Sequence, residues 1–323
     1  MTPSLFLQAL DVEIARQRYG DQPAELYEPI RYLMALGGKR LRPVLTLMGT
    51  ALFTEDWQKA LHPAIAVEVF HNFTLMHDDI MDRAPLRRGQ PTVHEKWNGN
   101  VAILSGDVML VQAYELLLGV EPDLLQPVLR RFNRTAAEVC EGQQWDMNFE
   151  TRATVSEAEY LEMIRLKTAV LLGFALELGA MLGRADGPQA FALRQIGQNI
   201  GLGFQLKDDY LDVYGQPDKF GKLVGGDILA NKKTFLLIDA LEKAQGATRA
   251  ELLRWLAARE YNPVEKVEAV TAIYDELGVA QTTEALMNRY FANAFRLLAD
   301  LPAEPRRKAT LRVFAEGLIG RER

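Results

Sequence analysis

A helical period runs through almost the whole chain, and the strict alternation that marks a half-buried strand is scarce. Across 323 residues, apolar side chains recur at the spacing of one helix face. The pattern predicts helices over residues 4–19, 24–36, 43–52, 57–82, 100–118, 123–149, 156–182, 188–214, 227–244 and 248–258, with three more to the end. The punctuation between them has physical causes. Gly37-Gly38 ends the second helix, Ser156 with Glu159 forms a capping-box pattern, and Pro63, Pro122, Pro188 and Pro263 stand near helix starts. No linker of biased composition interrupts the chain and no fixed-period repeat organises it, so the expectation is all-α: one single-domain helical bundle over residues 1–323.

Composition narrows the function. Hydrophobic residues make up 48% and charged residues 25%, enough apolar surface to bury a core. A net charge of -6 excludes a general nucleic-acid binder, which needs many phosphate-neutralising cations. Any anion site must therefore be a local basic cluster. The single cysteine, Cys140, excludes an intramolecular disulfide; with no partner in its flanks it reads as an inert buried thiol in a reducing compartment. Residues 1–10 lack the basic start of a secretory signal. The most apolar stretch, residues 168–182, is broken by Glu177 and is shorter than the ~20 residues that cross a bilayer. These features predict a cytoplasmic protein with no integral membrane segment.

Two acidic runs stand out against this background: Asp78-Asp79-Ile80-Met81-Asp82 and Asp208-Asp209-Tyr210-Leu211-Asp212. Each follows an apolar stretch, which puts it near the C-terminal end of a helix. There its first and last Asp share a face, and like charges meet the negative end of the macrodipole. A chain that accepts this cost twice is explained by a cation that neutralises it. Hard divalent ions take oxygen ligands, and Mg2+ uses one or two carboxylates together with substrate phosphates. The arrangement therefore predicts a Mg2+-diphosphate site.

The loops agree. Arg87-Arg88-Gly89 follows the first run; Gly221-Lys222 and Gly225-Gly226 follow the second. The segment Gly37-Gly38-Lys39-Arg40-Leu41-Arg42-Pro43 joins glycines that permit close backbone approach to the cations Lys39, Arg40 and Arg42. It lacks the Gly-x-x-x-x-Gly-Lys-Ser/Thr pattern of a nucleotide P-loop. Lys167-Thr168 lies inside an apolar helix, where a lone lysine ordinarily reaches out to solvent. His71 stands seven residues before Asp78 on nearly the same face, so a core histidine and a ligand role both stay open. No His-Glu-x-x-His or Cys-x-x-Cys pattern argues for zinc, and no Gly-x-Ser-x-Gly elbow argues for a covalent hydrolase.

With these motifs in order, the chain resembles the trans-isoprenyl diphosphate synthases, or polyprenyl synthetases, over essentially its full length. The resemblance rests on residues 37–43, the first acidic run with Arg87-Arg88-Gly89, Gly142-Gln143 with Asp146, and Lys167-Thr168. It is completed by residues 204–207 before the second run, Gly221-Lys222, Gly226-Asp227 and residues 231–234. It implies the isoprenoid synthase fold around a central cavity, a homodimer, and head-to-tail addition of isopentenyl diphosphate to an allylic diphosphate (dimethylallyl, geranyl or farnesyl). Asp78 and Asp82 would hold two Mg2+ ions and Asp208 a third, with Asp79, Asp209, Asp212 and Asp146 in supporting or water-mediated roles. Arg87, Lys167, Lys222 and Lys232 would clamp the allylic diphosphate; Lys39, Arg42, Arg88 and His71 would take isopentenyl diphosphate. Thr168 and Gln205 would turn dipoles toward the allylic cation.

In the family, bulky residues four and five positions before the first Asp form a floor for the growing tail. Here these are Thr74 and Phe73, and the acidic run has no two-residue insertion, a combination closest to geranylgeranyl (C20) synthases. Thr74 stands about 6 Å below Asp78 on the same helix face, while Phe73 lies to the side. Farnesyl and longer-chain synthases are the alternatives. A class I terpene cyclase is disfavoured by the complete second run and by the Lys39, Arg42 and Arg88 set. A non-catalytic partner subunit is disfavoured because both runs are intact.

Overall fold

The computed structural model describes residues 2–215 and 225–320. Their elements are α1 (Pro3–Arg16), α2 (Ala24–Ala35), α3 (Leu41–Ala51), α4 (Leu61–Met81), a short hairpin of β1 (Leu86–Arg87) and β2 (Gln90–Pro91), α5 (Val93–Lys96), α6 (Gly99–Leu117), α7 (Pro122–Thr151), α8 (Glu157–Ile164), α9 (Val170–Leu182) and α10 (Gly187–Tyr214). They continue with α11 (Gly226–Leu229), α12 (Phe235–Lys243), α13 (Gly246–Ala257), α14 (Pro263–Glu276), α15 (Val279–Asp300) and α16 (Pro305–Ile319). The all-helical expectation holds, and three of the expected helices are subdivided. A 3-10 turn, Gln58–Ala60, precedes α4; a π-helical turn, Arg165–Ala169, joins α8 to α9; residues 230–234 part α11 from α12. The Ser156–Glu159 capping box is present at α8.

The chain forms two compact units. One gathers Met1–Thr135, Leu171–Arg194 and Leu301–Leu311; the other gathers Ala136–Val170, Gln195–Asp300 and Arg312–Arg323. Neither is a continuous stretch of sequence. In the first unit α4 packs most extensively on α6. Phe70, on α4, lies edge-on to Phe132 at 5.1 Å between ring centroids, and Phe132 meets Tyr114 and Phe174. Burying one such phenylalanine is worth about 1.5–3 kcal/mol. Glu177, which breaks the apolar stretch, is buried and paired with Arg131 at 3.1 Å and with Arg194. No helix among the described residues is long and apolar enough to cross a membrane.

In the second unit, α12 is buried from Phe235 to Ala240. Phe235 and Ile238 enter one apolar cluster with Tyr160, Leu202, Leu206 and Phe291, while Leu236, Leu237 and Ala240 enter another with Val213, Val270 and Tyr274. Residues 235–240 are all buried, so both clusters draw on the same short helix. Cys140 departs from expectation: the thiol sits on the outside of α7, exposed. Its apolar neighbours in sequence do not share its face.

Candidate functional site

Each unit carries one acidic run, and each run is built on the same plan. In the first unit α4 ends at Met81 with Asp82 as its C-cap, and the Asp82 N–H donates to the Asp78 carbonyl at 2.8 Å, so the two stand one turn apart. Asp79, between them, points inward and is only 2% exposed. Arg87, from β1, grips it with Nε and Nη2 at 2.9 and 2.6 Å, a charge-assisted fork that ties the hairpin to the helix. Arg87, expected on the allylic diphosphate, is engaged with Asp79 here.

The hairpin turn explains Arg88-Gly89. Both residues have positive φ, 53° and 74°, the type I′ geometry that matches strand twist. The turn returns Arg88 to the Gly37-Gly38 segment, where Nη1 donates to the Gly37 carbonyl. Gly38, at φ 141°, lies so close that a Cβ would come within 2.8 Å of the guanidinium. Arg42 Nη1 then meets His71 Nε2 at 3.0 Å. Arginine only donates, so the imidazole accepts and is neutral. Burial, with Arg42, Arg88 and other arginines, holds its pKa well below 6.5. His71 is therefore a brace for Arg42 rather than a cation. Lys39 is exposed.

Arg40 corrects the sequence reading. The sequence groups it with Lys39 and Arg42 as a cation, yet it is 6% exposed, pairs with the buried Glu68 at 2.6 Å and donates to the Met34 carbonyl at 2.9 Å. Its left-handed backbone, φ 47°, accompanies that inward course. Glu68 and Asn72, which donates to the Glu68 carbonyl, carried no sequence signal. Along α4, Thr74 and Phe73 are both half-buried. The Thr74 hydroxyl donates to the His71 carbonyl at 2.8 Å, and the Phe73 ring is braced by Phe70 at 5.6 Å and His77 at 4.8 Å.

The second unit repeats the plan on α10. Asp208 and Asp212 are half-buried one turn apart, while Asp209 is turned inward, 5% exposed. Its Oδ1 accepts from Gln205 Nε2 at 3.0 Å, and its Oδ2 accepts from the Tyr160 hydroxyl. Burial and the charge of Asp227 push its carboxyl up to about 7. Both Asp209 oxygens are engaged in the interior, because adjacent helical residues diverge by about 100° and Asp209 leaves the face of Asp208. Tyr160, which no motif marked, is the missing partner; burial and Asp209 hold its phenol well above 10, so it stays a donor. Asp212 Oδ2 accepts the Asp227 N–H at 2.8 Å and ties α10 to α11.

Around this run, α7 supplies Asp146 and the π-helical turn supplies Lys167, whose Nζ lies 2.6 Å from Asp146 Oδ2. Burial raises the Asp146 carboxyl, but Lys167 and Lys232 outweigh it and hold it below the usual range. Lys167 therefore does not simply reach into solvent. The widened turn also aims Thr168 at α10, where its hydroxyl donates to Gln205 Oε1 at 3.0 Å. Thr168, Gln205, Asp209 and Tyr160 thus form one hydrogen-bonded chain. Gly142 permits the approach: a Cβ there would lie 2.2 Å from the Lys167 nitrogen. Lys232 is exposed. Lys222 lies outside the described residues.

The donor set suits Mg2+. Asp78 with Asp82, and Asp208 with Asp212, offer hard carboxylate oxygens at i, i+4 spacing, with no thiolate among them. Among the described residues no three metal-ligating side chains converge. Two carboxylates per helix match an ion that completes its shell with phosphate oxygens and water.

An all-helical chain with two such runs and adjoining cations defines a prenyl-transferring synthase, and this chain belongs to the polyprenyl synthetase family, whose profile matches residues 23–276. It is similar to the geranylgeranyl diphosphate synthase of Methanosarcina mazei, with 46% identity over 224 residues and 69% of each chain covered. In structure it is similar to a crystallised geranylgeranyl pyrophosphate synthase, with TM-score 0.92, 44% identity and coverage of 98% and 97% of the two chains. The corresponding enzyme of Pyrococcus horikoshii gives TM-score 0.91 at 32% identity, with 99% and 97% covered.

Proposed function

We propose that this protein is a Mg2+-dependent synthase that joins isopentenyl diphosphate head to tail to an allylic diphosphate, releases pyrophosphate and stops at geranylgeranyl diphosphate. The observation that carries the reading is the shared construction of the two acidic runs. In each, the middle carboxylate is locked inward by dedicated donors, Arg87 or Tyr160 with Gln205, while the outer two stay one turn apart. Such an arrangement keeps two charges poised for a cation instead of letting the helix spread three into solvent.

Asp78, Asp82, Asp208 and Asp212 would hold the ions, with Asp146 in a supporting role. Mg2+, when bound, supplies Lewis-acid charge at the departing pyrophosphate. Lys167, steered by Asp146, and Lys232 would clamp that leaving group, a role the family resemblance also gives to Lys222. Arg42, Arg88 and Lys39 would receive the second diphosphate, with neutral His71 fixing the Arg42 guanidinium. Once the allylic carbon–oxygen bond has broken, the isopentenyl double bond supplies the electron pair for the new carbon–carbon bond. Loss of a proton to the departing pyrophosphate then restores an alkene. Thr168 and Gln205 orient dipoles toward the passing cation. The Thr74 hydroxyl is satisfied by its own helix, so the lane below Asp78 presents apolar surface to a tail, and Phe73, braced by two rings, limits it.

The chain would act as one synthase domain and as a homodimer. Leu104 and Val111 on α6 and Leu118 at its C-cap, seven residues apart and 58%, 64% and 53% exposed, form an apolar stripe that a second copy would cover.

The purified protein, given isopentenyl diphosphate and each allylic primer in turn, should release pyrophosphate and form a C20 product with Mg2+, and neither after chelation. Absence of turnover with every primer would remove the reading. A cyclic hydrocarbon from farnesyl diphosphate alone would replace it with a cyclase. Asp78→Ala and Asp208→Ala should each lower turnover by at least about 10²–10³-fold with the thermal midpoint retained.

A further inference from the structure

Lys266, on α14, has no part in the chemistry above, yet its position is costly. The residue is 0% exposed, and among the described residues no carboxylate pairs with it. Burying an ammonium without a counter-charge is unfavourable, and an unbranched apolar residue of similar length would fill the space without that cost. The burial also lowers its affinity for a proton. What the ammonium contributes is therefore to be sought in its contacts.

All of them converge on one short piece of chain. Nζ donates to Asn231 Oδ1 at 2.8 Å, sits 3.4 Å from the Leu229 carbonyl at the end of α11, and lies 4.3 Å over the Tyr261 ring. The Tyr261 hydroxyl donates to that same Leu229 carbonyl at 3.2 Å. Asn231 is held from its other side too, since its Nδ2 donates to the Leu256 carbonyl at 3.2 Å. With both ends of the amide engaged, its orientation is fixed. The backbone at Asn231 is left-handed, φ 51°, a conformation that costs an ordinary residue free energy but that asparagine tolerates when its side chain is anchored.

The next residue is Lys232. Its N–H donates to the Asp227 carbonyl at 2.9 Å, and its own carbonyl accepts from the Thr234 N–H at 2.8 Å, so the turn is closed on both sides. The Lys232 charge is felt by both Asp146 and Asp209. Because lysine has a long flexible stem, where its ammonium stands depends on where the turn directs its Cα–Cβ bond.

We infer that Lys266 is a positioning residue for Lys232: by fixing Asn231 in the left-handed turn, it sets the direction in which the Lys232 side chain leaves the segment that follows α11. The inference rests on the synthase reading, in which Lys232 meets the allylic diphosphate. A merely structural lysine would affect folding whether or not Lys232 is present. A positioning lysine acts only through it.

Steady-state rates against the allylic primer, with Mg2+ and saturating isopentenyl diphosphate, distinguish these roles in full-length protein. Lys266→Met should raise KM for the primer about tenfold, with a smaller change in kcat, because a displaced cation binds the diphosphate less well. In a Lys232→Ala background the same substitution should add no further change, the non-additivity expected of two residues acting as one unit. Asn231→Gly keeps the turn's φ accessible while removing the Lys266 contact. It should reproduce the KM effect, and it provides the test should Lys266→Met not fold. Equal KM increases with and without Lys232, or a wild-type KM in both Lys266→Met and Asn231→Gly, would overturn the inference while leaving the synthase reading intact. Wild-type protein without turnover would overturn both.

Discussion

His71 shows how one hydrogen bond can assign a protonation state. Its Nε2 must accept from Arg42, so protonation would break that bond and add a charge among arginines. Below pH 6.5 the unfolded chain takes up a proton at this position that the folded protein refuses. Stability is thus fully present above that value and declines as pH falls toward the depressed folded pKa. His71→Gln retains an acceptor for Arg42 and abolishes the titration. Urea unfolding at successive pH values should show a shallower acid loss in the variant, and identical slopes would exclude His71 as the group responsible. The same scale separates Asp209 from Asp208. Their side-chain types are identical and their surroundings differ, because Tyr160 and Gln205 meet one of them in the interior.

At the scale of the element, the π-helical turn and α7 form a single device. One widened turn gives Lys167 to Asp146 and Thr168 to Gln205. That is possible only because Gly142 lets the two backbones approach. Gly142→Ala would force a Cβ against the Lys167 backbone, so it should destabilise the protein by about 1–3 kcal/mol and raise KM for the allylic primer. Thermal melts and initial rates measure the two effects; a variant normal in both would show that the turn relaxes freely. The β1–β2 hairpin is a second device. Its Arg88-Gly89 turn has the backbone twist to bring Arg88 back to Gly37, a job that the sequence marked only as a basic loop.

For the whole molecule, the predictions concern product length and assembly. Phe73→Ala should lengthen the product and Thr74→Phe shorten it, as read by chromatographic sizing; unchanged products in both would put the floor on another element. Val111→Glu places a charge in the middle of the α6 stripe and should shift the protein from dimer to monomer in light-scattering chromatography. A wild-type monomer would show that the stripe has another use.

Helix periodicity, caps and paired acidic runs could be read along the chain because each depends on residues within one or two turns, and an i, i+4 relation exists in sequence before it exists in space. The all-α class, the outer carboxylates and the basic segments follow from such local rules. Arg40 with Glu68, Tyr160 with Asp209 and Lys266 with Asn231 do not, since their partners lie 28, 49 and 35 residues away. Burial is likewise decided by packing, which is why Cys140 lies outside although its flanks suggested a buried thiol, and why Asp209 is turned inside. The local pattern specified which side chains could bind a diphosphate. Tertiary packing divided them into those that stay accessible and those that are paired in the interior, because desolvation and hydrogen-bond partners are set only when distant elements meet.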